Sequence, residues 1–141
     1  MSQINPPSLD PEIRQKLLIY QQNEITEHHI YKRLAESADT PENQRILEEI
    51  AEDELRHHRV WRRYTGQDVE PNRWQIWKYV LISRILGYTF GIKLMERGEE
   101  GAQDNYAALA DVIPDASDIA REENQHEEAP VSYTHLRAHE T

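Results

Sequence analysis

The sequence predicts an all-α fold, a four-helix bundle running up-down-down-up with an apolar crossover helix between its second and third helices. Three observations predict it. Apolar residues recur at three- and four-residue spacing through most of the chain, behind start signals of the form Asp-Pro and Thr-Pro. The length, 141 residues, suits one domain with a single core. Finally, one pattern occurs twice in the same order: a glutamate, a tyrosine two helical turns later, then Glu-x-x-His. It reads Glu24 and Tyr31 followed by Glu54 and His57, and again Glu99 and Tyr106 followed by Glu123 and His126.

The elements follow in order. Asp10 and Pro11 form an N-cap and a first-turn proline, and Ile13, Leu17, Leu18, Ile25, Ile30 and Leu34 continue the stripe, so the first helix is expected from Pro11 to Glu36. Thr40 and Pro41 repeat the signal; Ile46, Leu47, Ile50, Leu55, Val60 and Trp61 carry the next stripe, and Gly66 stops it, giving a second helix from Pro41 to Tyr64. Gln67 to Asn72, with Pro71, is a loop. From Arg73 to Val112 the chain is helix-compatible but too long for one element, and Gly87 and Gly91 are the expected interruptions. The crossover helix then covers Arg73 to Leu86, and the third helix continues to about Val112. Pro114 ends it, Asp115 or Ser117 caps a fourth helix bearing Glu123 and His126, and residues 1–129 make the domain. Pro130 to Thr141 turns basic and histidine-rich behind a helix breaker, which predicts a non-native or disordered tail and a shortened fourth helix.

Composition narrows the chemistry. Cysteine is absent, which excludes disulfides, thiol catalysis and Cys-ligated zinc or iron. With 26 Asp and Glu against 16 Lys and Arg and no basic run, the net charge is −10, which argues against nucleic acid or an anionic membrane surface as a partner and favours cations. The N-terminus has no basic and apolar leader, and Lys78, Arg84 and Lys93 interrupt the apolar stretch from Trp74 to Met95, so neither a signal peptide nor a spanning helix is expected; the predicted location is the cytoplasm.

The repeated pattern has a definite chemical meaning. A spacing of seven returns to the same helix face, and Glu-x-x-His places both side chains on one stripe. Each half offers two carboxylates and one imidazole, a donor set suited to two iron or manganese ions inside a helical bundle. The candidate ligands are Glu24, Glu54, His57, Glu99, Glu123 and His126, with Glu54 and Glu123 bridging. Glu96 is a candidate seventh ligand or a surface acid. Tyr31 and Tyr106 either hydrogen-bond the ligand carboxylates or pack in the core. Glu24 stands about 14 residues before the first hairpin turn and Glu54 about 15 after it, so they meet at one height. Glu99 and Glu123 are unequal, about 15 before and 9 after the later turn, a mismatch of roughly 10 Å. His28, His29 and His58 read as solvated, as do Glu27, Glu52 and Asp53, while Trp61, Trp74 and Trp77 read as core or crossover packing. His135 and His139 have ligand spacing but fall in the tail.

These residues carry a resemblance. LLIYQQNEITEHHIYKRLAE, IAEDELRHHRVW, RILGYTFGIKLMERGEEGAQDNY and AREENQHEEA, spanning about residues 12 to 129, resemble the rubrerythrin-type ferritin-like domain, in the version fused ahead of a vacuolar-iron-transporter membrane domain. The resemblance implies a ferritin-like bundle with a di-iron site that oxidises ferrous iron with dioxygen or reduces hydrogen peroxide, and a homodimer. In fused members it implies iron sensing or delivery at the cytoplasmic face of the membrane, the alternative to catalysis. The matching ligands are Glu24, Glu54, His57, Glu99, Glu123 and His126, with Glu96. The chain departs from the family in showing no membrane domain, no Cys-rich rubredoxin module and a break at Pro130. Peroxide turnover on these terms requires a separate electron donor.

Overall fold

Every regular element is a helix in the computed structural model, which describes residues 9–97, 109 and 113–128. The elements are α1 (Pro11–Glu36), α2 (Pro41–Thr65), α3 (Arg73–Leu86), α4 (Tyr88–Arg97) and α5 (Asp115–Glu128), with no strand among the described residues. The all-α class is therefore observed. No described helix is long and apolar enough to cross a membrane. The chain divides into two compact units, Met1–Ile76 and Trp77–Thr141.

In the first unit α1 and α2 begin by the same device. The Asp10 carboxylate accepts from the Glu12 amide at 3.1 Å and the Thr40 hydroxyl from the Asn43 amide at 3.1 Å, each with proline in the first turn, where its missing N–H costs nothing. Gly66 ends α2 in the left-handed region (φ 65°), its amide bonded to the Arg62 carbonyl at 2.7 Å. The buried positions of α1 fall into rows seven apart: Leu17, Glu24 and Tyr31; Tyr20, Glu27 and Leu34; Gln21, His28 and Ala35. In α2 the rows are Asn43, Ile50 and His57; Leu47, Glu54 and Trp61; Ala51, His58 and Thr65. The two helices pack as a hairpin whose middle is a polar stratum, flanked mainly by Leu17, Tyr20 and Trp61 toward one end and by Tyr31, Leu34 and Leu47 toward the other.

The loop after α2 is laid lengthwise along α1. Arg14 donates to the Thr65 carbonyl at 2.7 Å and to Gln67 Oε1 at 2.9 Å, Gln21 donates to the Gln67 carbonyl at 2.6 Å, and Gln22 donates to the Glu70 carbonyl at 3.1 Å. The Asn72 amide then bonds Thr26 Oγ1 at 2.9 Å, and Asn72 caps α3 by accepting from the Gln75 amide at 3.2 Å.

In the second unit Gly87 (φ 104°) breaks the chain between α3 and α4, as its sequence position predicts. Gly91 does not interrupt anything. It lies inside α4, buried, where a Cβ would overlap the Ser83 side chain and come within 3.1 Å of the Ser83 Cα. Its smallness serves close packing of the two helices rather than helix termination. α5 begins at Asp115, so Ser117 falls inside its first turn with its hydroxyl on the Pro114 carbonyl at 3.2 Å, and buries Ala116, Ile119 and Glu123. The third helix past Arg97, including Glu99 and Tyr106, and the tail with His135 and His139 lie outside the described residues.

Candidate metal centre

Glu24, Glu54 and His57 converge in the middle of the α1–α2 hairpin. Their exposures are 1%, 0% and 0%. His57 Nδ1 lies 3.4 Å from Glu24 Oε2 and 3.7 Å from Glu54 Oε1, and each residue offers one donor atom within 4.8 Å of the others. Equal height across the hairpin, read from the distance of each residue to the turn, brings the two helices' acids together. The helical rise does the positioning, and Glu-x-x-His adds the imidazole on the same stripe.

These distances discriminate between two ways of satisfying the group. A strong charge-assisted N–H···O bond closes to roughly 2.7–2.9 Å, and neither contact does so. Two donors each about 2.1 Å from a common ion stand roughly 3.0 to 3.4 Å apart at octahedral or tetrahedral angles. The observed spacing is closer to that of ligands around an ion. Burial makes the same point. Removing a carboxylate from water costs several kcal/mol per ion. A divalent cation balances two such charges, so the three side chains form a buried donor set able to hold a metal ion; they do not by themselves select which metal.

Around this set the stratum is more extensively buried than the sequence suggested. His28 and His58, expected to be solvated, are buried and form a reciprocal clasp: His28 Nδ1 meets the Ala51 carbonyl at 2.7 Å and His58 Nδ1 the Gln21 carbonyl at 3.2 Å. A carbonyl only accepts, so Nδ1 carries the proton in both rings. Burial lowers the His58 pKa below the usual imidazole value, opposed in part by the bond to Gln21. His29, half-buried edge-on to His28 with centroids 5.1 Å apart, is also lowered, first by burial and then by His28, Lys32, Arg33 and Arg73. Glu27 is likewise buried, not on the surface, whereas Glu52 is exposed and Asp53 half-buried. Gln21, with no exposed surface, accepts from the Thr65 hydroxyl at 2.7 Å. Each buried histidine lies seven residues from a buried alanine, His28 before Ala35 and His58 after Ala51, but those alanines are themselves core positions known from the fold rather than from the apolar stripes of the sequence.

No protein-family model, curated protein or solved structure matches the chain. The donor set is therefore understood from its own geometry.

The other expected site residues are distributed as follows. Tyr31 is buried on the Glu24 row of α1. Glu96 is half-buried on α4, and Glu123 is buried on α5 of the second unit. His126 falls within α5, with its side chain outside the described part, and Glu99 and Tyr106 are outside it altogether. Trp61 is fully buried one turn after His57, tilted against Tyr20 with centroids 5.9 Å apart. Trp74 and Trp77 depart from the packing expected of them: they stand on the outer side of α3, 64% and 55% exposed.

Proposed function

We propose that this chain is a di-iron carboxylate protein of the rubrerythrin type, with a ferritin-like four-helix arrangement, that binds ferrous iron and reacts it with dioxygen or hydrogen peroxide. The observation that carries the reading is the convergence of two fully buried carboxylates and an imidazole at ligand spacing inside a two-helix hairpin. Glu24, Glu54 and His57 hold the first half of the centre. Glu123 and His126, with Glu99 and Glu96, are proposed for the second half, because the sequence repeats the same donor types in the same order.

Bound iron would supply the electrons that reduce the oxidant. The chain supplies the setting. Leu17 and Tyr31 on α1 and Leu47, Ile50 and Trp61 on α2 bury both ends of the stratum and exclude water, which strengthens every electrostatic interaction within it. Glu54 sits on the same stripe as His57 and across from Glu24, so these residues would hold the ion together, with Glu54 proposed as the shared carboxylate because the Glu-x-x-His pattern implies it. Tyr31, on the Glu24 row, is proposed to orient a ligand carboxylate through its hydroxyl. A homodimer in the cytoplasm, or at the membrane's cytoplasmic face where a transporter domain is joined, completes the proposal.

Anaerobic titration with ferrous iron, followed by dioxygen or peroxide while ferric absorption is recorded, tests it. Two irons per chain with rapid oxidation are expected. Binding without turnover would move the reading to a sensing or delivery module for iron transport, and absence of binding would end both.

A further inference from the structure

Tyr20 and Trp61 form a buried ring pair beside the donor set. Their centroids are 5.9 Å apart and the rings are tilted by 49°. Tyr20 precedes Glu24 by one helical turn and Trp61 follows His57 by one, and because the hairpin is antiparallel both rings lie on the same side of the ligands. Side chains on a helix lean toward its N-terminus, which aims Trp61 back at the turn carrying His57 and Tyr20 away from Glu24. Trp61 is therefore the inner ring and Tyr20 the outer one. Gln21 fixes their spacing: its carbonyl accepts from His58 Nδ1 at 3.2 Å and its Oε1 from the Thr65 hydroxyl at 2.7 Å, so α1 is pinned to α2 on both sides of Trp61.

Electron counting gives this pair a use. Glu24, Glu54 and His57 converge as the donors for one ion. A ferrous ion gives up one electron, whereas cleaving hydrogen peroxide to water takes two. With no cysteine in the chain, indole and phenol rings are its readiest electron donors. Trp61 has no exposed surface and Tyr20 only 4%, so both are held in place and shielded from water, which protects a radical from side reactions.

We propose that Trp61 and Tyr20 are a one-electron relay to the metal centre, in which Trp61 gives an electron toward His57 and Tyr20 restores it. This inference rests on the reading of the centre as an iron site that meets peroxide. Hydrogen peroxide takes one electron from a ferrous ion and one from Tyr20, together with the phenolic proton and a proton from solvent, and leaves as two waters. The ion ends ferric, Tyr20 ends as a neutral phenoxyl radical, and Trp61 returns to its starting state.

The full chain, loaded anaerobically with no more than one ferrous ion per chain, mixed with hydrogen peroxide and freeze-quenched, tests the relay by electron paramagnetic resonance. An organic radical signal is expected that narrows when the tyrosines are ring-deuterated, with twice as much peroxide consumed per ferric ion as iron alone allows. Trp61→Phe should abolish the tyrosyl signal per bound iron. Tyr20→Phe, which removes only a hydroxyl, should replace that signal with a tryptophan radical and keeps the test decisive if Trp61→Phe fails to fold by circular dichroism. Iron that binds and turns ferric without an organic radical would overturn the relay and leave the iron reading standing. So would a tyrosyl signal that survives Tyr20→Phe or is lost only in Tyr31→Phe. A chain that binds no ferrous iron would end both.

Discussion

The α1–α2 hairpin and the helix α3 invert one another. In the hairpin six ionisable side chains, Glu24, Glu54, His57, Glu27, His28 and His58, are inside; on α3 the large apolar Trp74, Trp77 and Ile85 are exposed. Each departs from the ordinary partition of polar and apolar residues, and each departure costs free energy in the isolated chain. The difference lies in what each can do: the buried carboxylates and imidazole form a donor set able to hold a cation, whereas the indoles of α3 keep more than half of their area exposed.

The largest expected effect separates binding from stability. Glu54→Gln keeps the side chain's volume and removes its charge, so metal binding should disappear by elemental analysis. The metal-free protein should meanwhile become more stable by about 1–3 kcal/mol in urea unfolding, because a carboxylate with no exposed surface is replaced by a neutral amide. A loss of stability would mean that Glu54 is held by protein groups and needs no ion. The apolar layers of the same hairpin should behave in the opposite way. Trp61→Ala removes the largest fully buried side chain and is expected to cost about 3–5 kcal/mol. Within the second unit, Gly91→Ala drives a methyl into Ser83 and should cost about 1–3 kcal/mol, with partial recovery on adding Ser83→Ala.

A smaller effect concerns pH. Since burial holds the folded His58 below the ordinary imidazole value of 6.5, the unfolded chain takes up more protons below that value. Stability of the metal-free protein should therefore fall as pH drops through about 6.5, and His58→Asn should flatten that part of the decline when urea midpoints are compared. The smallest change is expected at Ile85 of α3. Ile85→Glu should alter folding stability by no more than about 0.5 kcal/mol, since that side chain is 67% exposed. A large loss would show that the position is covered within the chain.

Much of this arrangement is legible in the sequence, for local reasons. α1 and α3 match their expected limits and α2 runs one residue past, to Thr65, because Asp10-Pro11, Thr40-Pro41, Gly66 and Gly87 act through backbone groups within one turn. Glu24, Glu54 and His57 come together because equal distance from a tight turn fixes equal height in an antiparallel pair. The burial of Glu27, His28 and His58 was not legible in the same way, because polarity ordinarily assigns such residues to solvent, and only their seven-residue relation to Ala35, Leu34 and Ala51 places them inside. Gly91 was misjudged because a glycine in a helical run has two uses, ending the helix or admitting a neighbour, and the neighbour, Ser83, is known only from the fold. The exposure of Trp74 and Trp77 depends likewise on which side of α3 finds a partner.

The loop from Gly66 to Asn72 can be seen as a measuring tape. Its attachments climb α1 in sequence, from Arg14 through Gln21 and Gln22 to Thr26, and the tape ends two residues beyond Glu24, where Asn72 starts α3. Length in this segment is therefore a calibrated quantity. An added or missing residue would slip every later attachment off its mark and shift the origin of α3 along α1. This connection should thus tolerate substitution at its exposed positions far better than any change in its length.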